Sequence, residues 1–438
     1  MKFASEISRI TANEWRKIMQ NEYFVDVLIA GGGTSGVSAA IGASQAGANV
    51  MLIERNAYLG GEGAHAGIGA LCAVYTCGEN PVKCVAGVCD LVLDELHKLS
   101  PTSTETIISA AGNKNIQFKP EYMKVALDNL LDKNNVKYFL HTSIIDVSRE
   151  GSEIKSVTCQ DDEGRFTVHA KVFVDATGDA NLSHLAGAKT LWGDSNGQVM
   201  AATLPFRLCG VDISQDMSPS AVERAVKKGK EAGIPNLTRE RGFILKMSGS
   251  QEVIVLLPSV IPTGLSAEEL TQMEKFTRGQ ALSYLEAFKR FMPGMENAEL
   301  TMIGPSIGFR ETRRLAGRYM LTADDVLNRK KSKEGVARGG WKPEIHSSLN
   351  EAAVYLDVPG ASYYDIPLDC LRSVDVDNLY GSGRLICADS QAMAASRVMG
   401  TCLATGHAAG VSAALQGENG KVDIEAVRRE LVRQHALI

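Results

Sequence analysis

The sequence predicts an α/β fold in which the two chain ends share one parallel-sheet domain and the middle forms an inserted α+β domain. Three observations lead there. A mostly apolar run at residues 25–30 (VDVLIA) passes into the turn Gly31–Gly36, a helix of small residues and a second apolar run at 48–53 (ANVMLI). That is a βαβ unit of about 30 residues, and runs without alternation suit strands covered on both faces. Residues 379–415 return to the same glycine and alanine style. Residues 190–360 instead mix short strands with longer helices. The predicted division is therefore 1–189 with 361–438, and 190–360.

The elements follow in order. A helix is expected from Val37 to Gln45, and after the second strand a glycine-rich loop at 60–69. Helices follow at 87–98 and 120–133, then short strands at 136–140 and 144–148. Residues 154–160 and 166–174 read as a hairpin across the polar turn Asp161-Asp162-Glu163-Gly164. The middle should contribute strands at 198–208 and 253–257 and helices at 219–232 and 267–291; a helix at 401–415 closes the pattern.

A chain of 438 residues allows two to three domains at roughly 150 residues each, and a core that needs neither disulfides nor metal. With 45% hydrophobic residues, disorder is excluded as the main state. The net charge of -5 argues against broad binding to nucleic acid. Glu6, Arg9, Glu14, Arg16 and Lys17 interrupt the first residues, so no secretory signal is expected, and no run approaches the ~18 apolar residues of a membrane span. Nine dispersed cysteines fit free thiols in a reducing cytoplasm. Residues 10–19 form an amphipathic pattern through Ile10, Trp15, Ile18 and Met19, suited either to packing on the body or to a homodimer contact.

Gly31-x-Gly33-x-x-Gly36, with Thr34 and Ser35 inside it, follows a strand and opens a helix; Glu54 ends the next strand 23 positions after Gly31. This is a dinucleotide signature. Gly31 permits the turn, Gly33 lets a pyrophosphate approach the backbone, and Gly36 lets helix and strand pack closely. Glu54 would accept from the ribose hydroxyls. A glycine-rich turn without a ligand is the bland alternative. The motif alone does not separate NAD from FAD. The side-chain-poor loop 59–69, the small-residue turn at 174–179 and the segment 389–410 favour FAD, because each lets backbone lie against a flat ligand.

These stretches resemble FAD-dependent oxidoreductases of the glutathione-reductase-like superfamily, in the branch with an Arg-Glu-Thr-Arg-Arg motif. The resemblance rests on DVLIAGGGTSGVSAAIGASQAGANVMLIERNAYLGG, VFVDATGDANLSHLAGA, IGFRETRRLAGRYMLTADDV, YDIPLDCL and NLYGSGRLICADSQAMAASRVMGTCLATGHAAGVSAAL. It implies a Rossmann-like FAD-binding domain built from both chain ends, with the inserted α+β domain facing a small-molecule substrate. Carried over by position, Gly31, Gly33, Thr34, Ser35 and Gly36 fall on the pyrophosphate loop, and Glu54 and Arg55 on the ribose. Gly60, Gly61 and Glu62 lie toward the flavin, Ile145 on the strand flanking the adenine, and Ala176, Thr177 and Gly178 on a second contact loop. Asp389 falls on the ribityl side, and Val398, Met399 and Thr401 at the pyrimidine end. Cys387-Ala388 precedes Asp389 where the superfamily has a strand ending in Gly-Asp. Some relatives attach flavin to a histidine; the spacing here does not match theirs, so non-covalent FAD is expected. A helix beginning near Thr401 would point its positive end at the pyrimidine ring and stabilise the reduced flavin.

For chemistry beyond the cofactor, His65 could act as general acid or base, or serve as a loop histidine with one hydrogen bond. Arg310, Arg313, Arg314 and Arg318 form a basic cluster, with 310, 314 and 318 on one face of a helix. Arg310 and Arg313 would hold a substrate carboxylate or phosphate; ion pairing to Glu311, Asp324 or Asp325 is the alternative. Tyr363, Tyr364 and His346 are weaker acid–base candidates. Cys72, Cys77, Cys84 and Cys89 are spaced too widely for the usual zinc or iron–sulfur patterns and read as buried thiols. The function expected is an FAD-dependent dehydrogenase or reductase acting on a small organic substrate, with an anionic group among the candidates. Gly381-Ser382-Gly383 lacks a third glycine for NAD(P)H, so a separate quinone, oxygen or protein partner should complete the cycle. A redox-neutral hydratase or isomerase, and a non-catalytic or RNA-modifying flavoprotein, stay open as rivals.

Overall fold

A computed structural model describes residues 22–64, 67–109, 112–247, 250–350 and 353–438. The expected helix at 10–19 and the candidate His65 lie outside the described residues.

Strand β1 (Glu22–Ala30) runs through the turn at Gly31 into helix α1 (Thr34–Gln45). Strand β2 (Val50–Ile53) pairs parallel to it, Val27 opposite Val50 and Ala30 opposite Ile53. All four residues of β2 are buried, as an unbroken apolar run requires. Helices α2 (Val88–Leu99) and α3 (Pro120–Lys133) pack on each other and on α1. Pro120 opens α3 at a position whose missing N–H costs nothing. Strand β3 (Lys137–Phe139) extends the sheet beyond β2. A meander follows: β4 (Ser143–Glu150), β5 (Glu153–Gln160) and β6 (Arg165–Asp175). The expected hairpin is β5 with β6, from Ser156 opposite His169 to Gln160 opposite Arg165. β6 also runs parallel to β1, ending with Ala30 opposite Asp175.

The middle of the chain builds a second, antiparallel sheet from β7 (Phe206–Cys209), β8 (Phe243–Lys246), β9 (Val253–Leu256) and β10 (Glu299–Ile303), in the order β8-β9-β7-β10. Helices Pro219–Glu231 (α4) and Ala267–Phe291 (α5) enclose its core, with Phe206, Val222, Val255, Tyr284 and Phe288 inside. A capping box between Ser266 and Glu269 starts α5. The single strand expected at 198–208 is two: Ala202–Thr203 pairs with Ser259–Val260, and β7 belongs to the sheet. Pro205, which offers no ladder donor, separates them.

Strand β11 (Leu379–Gly381) returns to the first sheet and pairs parallel with the end of β6, Gly381 opposite Asp175. Helices α6 (Ser390–Ser396), α7 (Met399–Ala414) and α8 (Ile424–Arg433) complete the chain. α7 starts two residues earlier than the expected 401. It lies in backbone contact with α1: side chains at Gly406 and Gly410 would collide with the carbonyls of Ser35 and Ala39. Ser38 Oγ donates to Leu403 O across the contact at 2.7 Å. The stretch expected to belong wholly to the insertion divides in its packing. Residues between Phe206 and Ala298 hold their own core, whereas Leu321, Val326, Val336 and Ala337 pack with the chain ends. Among the described residues no helix is long and apolar enough to cross a membrane.

Candidate functional site

A cavity of about 1040 Å³ runs from the β1–α1 turn to the inner face of the inserted sheet. Its outer end is made of backbone. Gly31 has φ +99°, a left-handed value that favours glycine, and a Cβ there would stand 2.6 Å from Ala176 O. A Cβ at Gly36 would overlap Gly31 O, so this glycine permits the close packing of helix on turn. Gly33 differs: its Cβ would meet nothing nearer than Gly61 Cα at 3.8 Å, and it lines the cavity. Gly33 caps α1 without a side-chain hydrogen bond, and the first turn holds no acidic residue. The free amides and the helix dipole therefore suit a diphosphate, and the space a Cβ would fill is where it could rest.

Glu54, 6% exposed, sits beside this turn at the end of β2. Its Oε2 accepts from Gly32 N at 2.6 Å and its Oε1 from Asn56 N at 2.7 Å. Each oxygen keeps a lone pair for a ribose hydroxyl. Arg55, Thr142 and Ile144 line the same end. Ile145 does not line it: the register of β4 against β5 slips between Ile144 and Asp146, leaving Ile145 as the extra residue of a bulge. On the other side of the turn, Ala176, Thr177 and Gly178 line the cavity. Asp175, fully buried, holds that turn by accepting from Thr177 N at 3.1 Å, Thr177 Oγ1 at 2.6 Å and Ser183 N at 2.8 Å. Burial raises the Asp175 carboxyl, and these hydrogen bonds oppose the rise.

Of the other predicted residues, Gly61 and Glu62 line the cavity, as do Val398 and Met399 at the start of α7. Gly60 lies behind Gly61, its N–H bonded to Gly32 O at 2.8 Å. Thr401 is fully buried away from the wall; Cys402 and Met399 face the cavity instead. Asp389 is committed elsewhere: it caps α6 through Ala392 N and accepts from Ala323 N, both at 2.7 Å. Cys72 also lines the cavity, while Cys77, Cys84 and Cys89 are buried thiols. Burial pushes Cys72, Cys84 and Cys89 up to about 12. No three His, Cys, Asp or Glu side chains among the described residues are grouped to hold a metal ion.

The Arg-Glu-Thr-Arg-Arg segment is extended, not helical. Arg313–Leu315 is a strand paired with Thr190–Trp192, so Arg313 and Arg314 point opposite ways, while Arg310 and Arg318 lie outside the strand and no helix face joins them to Arg314. Arg310 lines the cavity and donates through Nη1 to Ala201 O at 2.6 Å and Thr203 Oγ1 at 2.7 Å. Arg313 reaches Asp179 O at 3.0 Å and Asn181 Oδ1 at 2.7 Å. Arg314 is buried in an ion pair with Glu311, and Arg318 pairs with Asp377 at 3.1 Å.

Several residues that the sequence left without a role meet here. Arg384 lies on the cavity wall, 3.0 Å from Asp179 and 3.7 Å from Glu62. Burial pushes the Glu62 carboxyl up to about 6 against the opposing charge of Arg384. Deeper in are Arg397, Glu344, Trp341 and Tyr355. Glu344 accepts from Trp341 Nε1 at 3.1 Å and lies 3.0 Å from His346 Nε2. Burial alone would raise the Glu344 carboxyl; His346, Arg397 and Arg310 overcome it and hold it well below the usual range. Burial and the charge of Arg310 push His346 down to about 3, so its ring is neutral. Burial, with Arg397 and Arg239 nearby, pushes the Arg310 guanidinium down to about 9. The only local signals for these groups were Arg384 directly after Gly381-Ser382-Gly383 and Arg397 directly before Val398.

Among solved structures, the chain is similar to a geranylgeranyl bacteriochlorophyll reductase-like protein from Thermoplasma acidophilum, at 13% identity and a TM-score of 0.47 over 95% of this chain and 85% of that one. It is also similar to a myxobacterial chondrochloren halogenase, described as a new variant of FAD-dependent halogenases, at 15% identity and a TM-score of 0.46 over 94% and 79%. A family model for FAD dependent oxidoreductases matches residues 26–434, nearly the whole described chain, and the protein belongs to that family.

Proposed function

We propose that the protein is a dehydrogenase or reductase that moves two electrons between its cofactor, FAD, and a small organic molecule in the inner half of the cavity. The observation carrying this reading is continuity. One cavity of about 1040 Å³, at the upper end of the ~300–1,000 Å³ usual for a ligand site, joins the diphosphate cradle to the inserted sheet. Bound FAD supplies a ring that takes or gives a hydride. In this reading Gly33 and the α1 amides hold the pyrophosphate, Glu54 orients the adenosine ribose, and Ala176–Gly178 flank the opposite side. Val398 and Met399 close the pyrimidine end, where the α7 dipole favours negative charge. Gly400 N–H is taken there by Cys72 O at 2.9 Å, which pins α7 to that wall.

Glu62 would be the group to hold or release a proton for the reaction, since it lines the cavity and burial pushes its carboxyl up to about 6. Arg384 fixes its position from 3.7 Å. Ile68, Met399 and Trp341 add apolar lining to the same cavity. The packing supports a substrate-facing unit centred on 206–298, with the flanking segments serving the chain-end domain.

The test is anaerobic. Yellow holoprotein, whose colour should pass a filter after denaturation, is mixed with panels of small acids, alcohols and amines. Bleaching by one compound, with colour restored by a quinone or oxygen, is the expected result. Turnover of a substrate with no bleaching and no acceptor consumed would overturn the reading in favour of a redox-neutral enzyme. Rapid bleaching by NADH or NADPH alone would overturn the separate acceptor.

A further inference from the structure

The inner end of the cavity carries more buried positive charge than the protein itself neutralises. Arg310 and Arg397 lie on its wall, and Arg239, 4% exposed, lies close enough that its charge bears on Arg310. The carboxylate facing these three guanidinium groups is Glu344, already engaged by Trp341 and His346. Neutral His346 adds no charge. Glu62 and Asp179, the other nearby acids, face Arg384 at 3.7 and 3.0 Å. Counting Arg384, four guanidinium groups face the three carboxylates of Glu344, Glu62 and Asp179, so one positive charge stands in excess in a low-dielectric space, an arrangement that persists where a ligand brings the counter-charge.

The hydrogen-bond inventory agrees. Nε and Nη2 of Arg239 and Nε of Arg397 are buried and have no partner among the described residues. Buried guanidinium donors left unmade are costly; Arg397 carries one on the cavity wall, and Arg239 carries two behind it, where its charge still bears on Arg310. Arg310 is held from behind by Ala201 O and Thr203 Oγ1 through Nη1 alone, which leaves the rest of its planar fork for a ligand. Arg397 is steadied by donating through Nη2 to Glu344 O at 3.2 Å. Arg313 is not part of this group, because Asp179 O and Asn181 already occupy it.

We propose that Arg310, Arg397 and Arg239 form an oxyanion pocket that selects substrates carrying a carboxylate or phosphate group, with Glu344 and His346 as positioning residues that hold the pocket's walls. The proposal rests on the function proposed above and names its substrate class. Planar carboxylates match the fork of Arg310 by paired hydrogen bonds, and phosphate offers the same donors a third oxygen.

The test titrates yellow holoprotein with acetate, malonate, succinate and inorganic phosphate, and with acetamide and malonamide as neutral counterparts. The readouts are the flavin difference spectrum and the melting temperature. A saturable change with an acid but not with its amide is expected, and whether carboxylates or phosphate produce it identifies the oxyanion. Arg397→Gln and Arg239→Gln should each raise the half-saturating concentration about tenfold or more at unchanged FAD content, and Arg397→Lys should recover part of the loss. Amides acting as well as acids, no saturable change in the wild type, or Gln variants that titrate like the wild type would overturn the pocket. A variant that loses FAD leaves the wild-type comparison of acid with amide to decide. A neutral compound that bleaches the flavin while acids have no effect would sink the pocket and leave the oxidoreductase reading standing.

Discussion

Replacing Gly33 with alanine should separate cofactor binding from folding. Gly33 has φ -66° and ψ 175°, which alanine adopts without strain. The new Cβ would lie 3.8 Å from Gly61 Cα, an ordinary contact, and would point into the cavity. The fold should lose only part of a cap preference, offset by about 0.4–1 kcal/mol from the stiffer unfolded chain. The melting temperature of flavin-free protein should therefore move by no more than about 2 °C. Binding should suffer much more. A methyl group in the cradle lifts the diphosphate off the α1 amides, and each charge-assisted hydrogen bond lost costs about 1.5–3 kcal/mol, or roughly ten- to hundredfold in affinity. Gly36→Ala makes the contrast. Its Cβ would overlap the Gly31 carbonyl, so the turn must open, and flavin-free protein should itself lose ~1–3 kcal/mol. The assay is titration of flavin-free protein with FAD by quenching of flavin fluorescence, with melting curves beside it. Gly33→Ala binding FAD within about threefold of wild type would refute the placement of the diphosphate on Gly33. Gly36→Ala melting like the wild type would refute the packing argument.

Glu54→Gln should weaken FAD binding about five- to tenfold, because the ribose then meets an amide N–H where a carboxylate oxygen stood, and an unchanged titration curve would remove Glu54 from the site. Glu62 sets a pH dependence. Its carboxyl rises from 4.5 to about 6 on folding, so the stabilisation is complete below pH 4.5 and is lost as pH climbs through about 6. Glu62→Gln, neutral at every pH, should gain in melting temperature relative to wild type across that window; parallel curves would count against a raised pKa. Arg384→Met strips Asp179 of the partner 3.0 Å away and should cost about 3–5 kcal/mol, much of it recovered when Asp179→Asn is added. An undiminished loss in the double variant would show that the damage comes from packing alone.

The outer end of the site was legible because its constraints are local. A strand, a tight turn and a helix start need Gly31, Gly33 and Gly36 at fixed spacing whatever the rest of the chain does, and the acid that ends the next strand sits at a fixed distance. The inner end was not legible. Arg310, Glu344 and Arg397 come from three separate stretches and only the folded chain brings them to one space, with Arg239 from a fourth lying close enough to act on Arg310. The arginine motif was misread because charges three or four apart look helical, yet its true partner is Thr190–Trp192, far away in sequence. Gly308 and Gly317, on either side of the motif, disfavour the helix that the charges seemed to form. Asp389 shows how one signal serves two ends: an acid before a run of small residues reads equally as a ligand contact or a helix cap, and here it is the cap. Ile145 was displaced by a bulge, which leaves no mark in a strand's alternation until its partner is known.

The contact of α1 with α7 also bears on how the protein is made. Ser38 and Leu403, which bond across it, are 365 residues apart. At about 5–20 residues per second, a ribosome needs roughly 20 to 70 s to travel between them. Throughout that interval the α1 face meant for Gly406 and Gly410 is bare, and the flank of β6 that receives β11 has no partner strand. The cradle for FAD can therefore exist early only as a loose βαβ unit, while its far wall is still unmade. Cofactor capture should therefore wait for residues 379–414, and a nascent chain stalled before residue 379 should hold no flavin and should need a chaperone to keep its apolar helix face from aggregation.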